Sequence, residues 1–299
     1  MRNCKAIFFA FLSVLILGHA KEAGSETFKD ALGRQVELRE VPSSLIPLAP
    51  SLTEILYFLG LGDRVVGVTT FSQYPPEARK KPKVGSYINL NVEKIISLSP
   101  DLVIGTVDGN EPRVIDILEQ AGTKVYIVNP RNVEELLETI VKVGEVCGIP
   151  QRAQRLAVEL RRPVSRIERK TRLLRKPLVF LQINIKPIMT VNRHTFQHDL
   201  IRLAGGVNMA RDEKVPYPRI NIEEVIKRKP DVILISSMER GGLFERARKE
   251  WLKWITIPAV RDSRVHLVDS DLIDRPSPRF TRGLEVMAAL IHPEVKWEE

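Results

Sequence analysis

Short apolar runs alternate with amphipathic stretches along the whole chain. Six runs, Val65–Thr69, Leu102–Gly105, Val125–Val128, Leu178–Ile183, Val232–Ile235 and Val265–Val268, are rich in Val and Ile and bounded by Pro, Gly, Asp or Asn. Runs apolar at successive positions suit strands buried on both faces, as in a parallel sheet covered by helices. Ser51-Leu52-Thr53-Glu54 has the form of a capping box and predicts a helix over Leu52–Leu59, ending at Gly60 and Gly62.

The pattern repeats. Asn91-Val92-Glu93-Lys94-Ile95-Ile96, three residues, and Pro100-Asp101-Leu102-Val103-Ile104 return as Asn221-Ile222-Glu223-Glu224-Val225-Ile226, three residues, and Pro230-Asp231-Val232-Ile233-Leu234. Each copy reads as a capped helix, a Pro-Asp break and a buried strand. Lys124–Asn129 echoes Arg264–Asp269, and Leu56–Gly62 echoes Leu200–Gly206, in the same order. The expected fold is therefore α/β, with two Rossmann-like lobes of parallel-rich sheet.

Between the copies, apolar Leu156, Leu160, Val164 and Ile167 mark one face of a long helix over Gln151–Arg175, opened by Pro150. Pro163 predicts a kink or a new helix start. The expected division is 21–149 for the first lobe, 150–176 for the linking helix and 177–299 for the second lobe, with a ligand cleft between lobes. The linker would act as a stiff rod.

The net charge of +9 and pI near 9.6 raise the question of a nucleic-acid partner. The charge is local: Gln151–Lys176 carries ten basic and two acidic residues. A solvated helix face explains this, and a surface that binds anionic partners through the Arg-rich helix is the alternative. At the N-terminus, Arg2 and Lys5 precede the apolar run Ala6–Leu17 and then Gly18-His19-Ala20. The run is shorter than the roughly 20 residues a spanning helix needs, so residues 1–20 read as a cleaved signal peptide. The mature chain is then expected to begin near Lys21, outside the cytoplasmic membrane, which argues against nucleic acid. Of the two cysteines, Cys4 falls in that segment and Cys147 in an apolar run, so neither a disulfide framework nor a multi-cysteine zinc site is available.

Catalytic signals are sparse. No Gly-x-Ser-x-Gly elbow and no P-loop occurs. His194 and His198, four apart with Asp199 adjacent, are weak candidates for a metal or haem iron if one helix turn carries both. An enzyme is not expected, and neither is an intrinsic cofactor. Tyr87 and Tyr217 flank the repeated helices, so equivalent points in the two lobes are candidates to face one cleft. Ser72 and Tyr74 follow the Val65–Thr69 run, where a loop at a parallel strand's C-terminal end meets ligand.

With these features in place, the chain resembles the periplasmic binding proteins of ABC importers for vitamin B12 and ferric siderophores. Thr27–Arg34 resembles that family's N-terminal hairpin and Leu48–Glu54 its first strand–helix junction. Tyr74-Pro75-Pro76, the two repeats, Ala204-Gly205-Gly206-Val207-Asn208 and Ser277-Pro278-Arg279 follow in family order. Pro47 departs from the family's plain strand residue and suggests a short or edge strand. Val215-Pro216-Tyr217-Pro218 resembles Val-Pro-Trp-Pro of the vitamin B12-binding branch, Tyr87 falls where that branch has another Trp, and Asp274-Arg275-Pro276-Ser277-Pro278-Arg279 resembles its Arg loop near the ligand, which implies Arg275 as the guanidinium that faces the cleft with the two tyrosines. The resemblance implies a monomer that hands a cobalamin-type corrinoid, or alternatively a ferric siderophore or haem, to an importer permease. It also implies that Glu93 and Glu223 dock the two halves of that permease.

Overall fold

The computed structural model describes residues 25–236 and 242–297. The expected signal segment and the mature start at Lys21 lie outside the described residues. A hairpin of β1 (Glu26–Lys29) and β2 (Gln35–Leu38) opens the fold. Its turn is held by Asp30, whose Oδ1 accepts from the Leu32 and Arg34 amides at 2.9 Å each. The first lobe is built from β3 (Leu45–Pro47), α1 (Pro50–Phe58), α2 (Val92–Ser97), β4 (Leu102–Thr106), α3 (Pro112–Gln120), β5 (Val125–Val128) and α4 (Val133–Val146). Its three strands are parallel in the order β3-β4-β5.

After α5 (Pro150–Thr171), the second lobe holds β6 (Leu178–Gln182), α6 (Phe196–Leu203), β7 (Val207–Asn208), α7 (Ile222–Arg228) and β8 (Val232–Ile235). It continues through α8 (Leu243–Trp251), α9 (Pro258–Arg261), β9 (Val265–Leu267), α10 (Ser270–Ile273) and α11 (Phe280–Ile291). Its parallel sheet has the order β7-β6-β8-β9.

Strand alternation divides the core. Leu102 and Ile104 of β4 join one apolar cluster while Val103 joins another. In β8, Val232 and Leu234 join the first cluster while Ile233 and Ile235 join a third. The shared cluster also takes in Ala153, Ala157, Leu160, Val164 and Ile167 of α5, so the long helix continues the core from one lobe into the other. At about 1.5 Å per residue its 22 residues span roughly 33 Å.

Of the two alternatives at Pro163, a new helix start is overturned: α5 runs through it. The buried stripe lies on both sides of the proline and packs against α4 and α11, which offsets one lost backbone hydrogen bond. Val65–Thr69 is not a ladder strand and makes only isolated bridges, Val65 with Leu45 and Val68 with Lys83. The sheet edge is instead β3, a strand of 3 residues ending at Pro47, short and at an edge as that proline suggested. Leu45 accepts from the Val66 amide at 3.0 Å, and alternation turns Pro47 to the same flank. Proline has no N–H to donate there, so pairing with Val65–Thr69 stops after one bridge.

The repeat has a common physical basis. Asn91 Oδ1 caps α2 at the Lys94 amide, 2.9 Å, and Asn221 Oδ1 caps α7 at the Glu224 amide, 2.8 Å. Ser99 and Lys229, each just before the proline, both take a left-handed conformation, with φ of 46° and 50°. Asp101 then accepts from the Ser43 and Ser44 amides, and Asp231 from the Leu178 amide, tying each break to the start of its lobe's first sheet strand.

Candidate functional site

The two candidate tyrosines approach one turn of the first lobe. Pro216 and Pro218 are restricted in φ, and their carbonyls accept from the Asn192 and Thr190 amides at 2.9 and 3.0 Å. Alternation leaves the Tyr217 ring pointing away from that pairing. Its hydroxyl reaches Asp108 Oδ2 at 3.5 Å, a long contact between the lobes. Asp108 is held by the two terminal guanidinium nitrogens of Arg131, at 2.5 and 2.9 Å. Burial, and then the Asp108 carboxylate, push the Tyr217 phenol up to about 12. It is a neutral donor at physiological pH.

Tyr87 meets the neighbouring residue of the same turn. Its ring lies so close to Gly109, at φ +97°, that a Cβ there would fall 2.2 Å from a ring carbon. Asn110, almost fully buried, locks the arrangement: Nδ2 donates to the Tyr87 carbonyl at 2.8 Å and to the Leu48 carbonyl at 3.1 Å, while Oδ1 accepts from the Thr106 amide. Tyr87 and Tyr217 thus converge on Asp108–Gly109 from opposite lobes. Ile88, Val107 and Val215 beside them are exposed.

Arg275 and Tyr74 belong to a second inter-lobe contact, organised by Glu54. This residue is corrected from the capping expectation: α1 is capped at Ala49, with Pro50 in its first turn and no side-chain cap bond. Glu54, 1% exposed, instead accepts from Ser277 Oγ at 2.6 Å and pairs with Arg279 at 3.4 Å and Arg275 at 3.6 Å. Burial raises its carboxyl and these three partners oppose the rise. Arg275 also pairs with Asp271 at 3.0 Å. Arg279 lies over the Tyr74 ring, 4.3 Å from its centroid, and Tyr74 stacks on Phe58. Tyr74 keeps 38% of its surface exposed. Next to Arg275, Asp274 accepts from Ser236 Oγ at 2.8 Å, and desolvation pushes its carboxyl up to about 6.

Ser72 is placed differently. It is 1% exposed, and its hydroxyl bonds Thr53 and Thr69 at 2.8 and 2.9 Å, so it braces the loop under Tyr74 from inside. Glu93 and Glu223 are both exposed in the first turns of α2 and α7, and neither makes an ion pair among the described residues.

His194 and His198 do not share a helix turn. Thr195 caps α6, so His194 precedes the helix and His198 lies inside it. The His198 Nδ1 faces Asn208 Nδ2 at 3.2 Å, and burial holds its pKa below the usual value. Among the described residues no group of three His, Cys, Asp or Glu side chains is placed to hold a metal ion. Both histidines border a groove of about 900 Å³ between α4, α5 and α6, which reaches Arg131 and Pro216 beside the tyrosine site. Its arginines are paired, Arg161 with Glu134 and Arg202 with Asp199.

Asp108, Arg131 and Glu54 as a cross-lobe group were not identified from sequence. Of Glu54's partners, Arg275 was a sequence candidate, and Ser277 and Arg279 lie in the Ser277-Pro278-Arg279 motif.

Known proteins of the same build make the family plain. The periplasmic binding protein family matches residues 45–272. The vitamin B12-binding protein of Vibrio parahaemolyticus is 34% identical over 243 residues, covering 80% of this chain and 86% of the relative. The structure of the periplasmic vitamin B12 binding protein BtuF of Vibrio cholerae superposes with a TM-score of 0.76 at 31% identity, covering 85% of this chain and 98% of that one. A periplasmic heme binding protein from Pseudomonas aeruginosa gives a TM-score of 0.76 at 29% identity, covering 85% and 94%. With this match spanning both sheets and the loops that carry the paired tyrosines, the chain belongs to the periplasmic binding protein family.

Proposed function

We propose that this protein captures a cobalamin-type corrinoid in the periplasm and delivers it to an ABC importer permease, without catalysing a reaction. The observation that carries this is the convergence of Tyr87 and Tyr217 on Asp108–Gly109. Two rigid aromatic faces from opposite lobes suit a broad, flat ligand, and the exposed Ile88, Val107 and Val215 extend the apolar surface. Arg275, Tyr74 and the loop over Ser72 supply the far end of the site, where a guanidinium suits an anionic or amide edge. Relatives at 31–34% identity carry the name vitamin B12-binding protein.

A haem or ferric siderophore is the second reading, favoured by the heme-binding relative and by the phenols. Against it, burial and the Asp108 carboxylate favour the neutral Tyr217 phenol, which raises the cost of forming the phenolate that ferric iron binds. Stacking makes no such demand.

Glu93 and Glu223 occupy matching positions on the two lobes and serve as docking contacts for the two halves of the permease. The mature protein acts as a monomer. The test is to recover it from its native host and record the absorbance spectrum: corrin bands support the proposal, a haem Soret or ferric-siderophore band supports the second reading, and the absence of all three in protein also unable to bind them contradicts both.

A further inference from the structure

Glu54 stands out because it is almost fully buried and its hydrogen-bond and ion-pair partners among the described residues all come from the 275–279 loop of the other lobe. A buried carboxylate needs ion-pair and hydrogen-bond partners to offset the loss of its water. Here Ser277, Arg275 and Arg279 approach it together, and each is held by something else as well. Arg279 rests on the Tyr74 ring of Glu54's own lobe, Arg275 is paired with Asp271, and Ser277 Oγ also faces the Arg279 amide at 3.4 Å. The carboxylate therefore joins two cations that would otherwise repel, and it does so across the seam between the sheets.

We propose that Glu54 is a positioning residue that fixes the spacing of the two lobes in the ligand-free protein and holds Arg275 in place for ligand. The consequence for ligand rests on the function proposed above; the consequence for lobe spacing does not. Without the carboxylate, Arg279 loses its ion pair with Glu54 while Arg275 keeps Asp271, and the 275–279 loop loses its tie to α1. The shared core along α5 keeps the lobes joined, so the expected result is a wider range of lobe spacings rather than unfolding.

Spin labels at Arg113→Cys on α3 and Lys227→Cys on α7, both exposed, report the spacing in the mature protein. Cys147 is buried, with its thiol pushed up to about 12, and stays unlabelled. The wild-type background should give one narrow distance distribution and Glu54→Gln a broad one, with affinity for added cobalamin falling roughly tenfold. Ser277→Ala combined with Arg279→Met cuts the same tie from the other lobe and must reproduce the broadening, which keeps the test valid if Glu54→Gln folds poorly. A Glu54→Gln protein that melts at lower temperature but keeps the narrow distribution overturns the proposal, since a merely structural role moves the melting point alone. So does a wild-type distribution that is already broad. If wild-type protein binds no cobalamin, haem or siderophore, the ligand assignment fails and the distance arm alone decides the role of Glu54.

Discussion

The Tyr217 hydroxyl points at Asp108 across the gap between the lobes, and the same carboxylate is gripped by Arg131 on the other side. At the site proposed above, a ligand as broad as a corrin entering between Tyr87 and Tyr217 would have to separate the phenol from Asp108. The turn at Asp108–Gly109 is where the two aromatic side chains meet.

This relationship has a spectroscopic consequence. Asp108→Asn removes the negative charge beside the phenol and leaves Arg131 to favour the phenolate, so the Tyr217 pKa should fall from about 12. An ultraviolet difference titration, with Tyr217→Phe subtracted to separate it from Tyr126, which burial also pushes up to about 12, measures the shift. An unchanged titration would mean that the two groups do not meet in solution.

Stability should depend on pH through Asp274. Its carboxyl is raised to about 6 from the ordinary 3.8, so the folded protein binds this proton more tightly than the unfolded chain. The contribution is full below pH 3.8 and is lost as pH rises through about 6. Asp274→Asn keeps a partner for Ser236 Oγ and should gain on the order of 1 kcal/mol at pH 7, with little gain at pH 4. Denaturant melts at the two pH values decide this, and an equal effect at both would contradict the assignment.

The repeated caps should matter equally. Asn91→Ala and Asn221→Ala each remove one side-chain bond to a helix amide, at 2.9 and 2.8 Å, and should cost about 1 kcal/mol apiece in chemical unfolding. The two sites are in different lobes, so the costs should add.

Docking is separable from capture. Glu93→Arg combined with Glu223→Arg should abolish importer-stimulated uptake while ligand affinity stays within a few-fold, because both side chains are exposed. Unchanged uptake would remove these glutamates from the permease contact, and lost ligand binding would assign them to the fold.

Much of the scaffold was legible because local signals agreed with tertiary demands. The runs at Leu102, Val125, Val232 and Val265 are strands because neighbours cover both faces, and the Asn-x-Glu and Pro-Asp repeat marks caps and strand ties that are local in sequence. The failures share one cause, partners distant in the chain. Ser51–Glu54 matches a capping box, but Pro50 moves the helix start forward and residues more than two hundred positions away claim Glu54. Val65–Thr69 has strand composition, but Pro47 denies it a donor. Pro163 breaks a helix in isolation and not one packed on both sides. For the site, Tyr87 and Tyr217 could be named from resemblance, but Asp108 and Arg131 carry no motif and become visible only when two lobes are brought together.

The most direct measurement is a calorimetric titration of the mature protein with a cobalamin, repeated on Tyr217→Ala. Saturable binding by the wild type is expected, with the variant weaker by about one to two decades for roughly 1.5–3 kcal/mol of lost apolar contact. Wild-type affinity in Tyr217→Ala would place the ligand elsewhere, and failure of the wild-type protein to bind cobalamin would contradict the proposal itself.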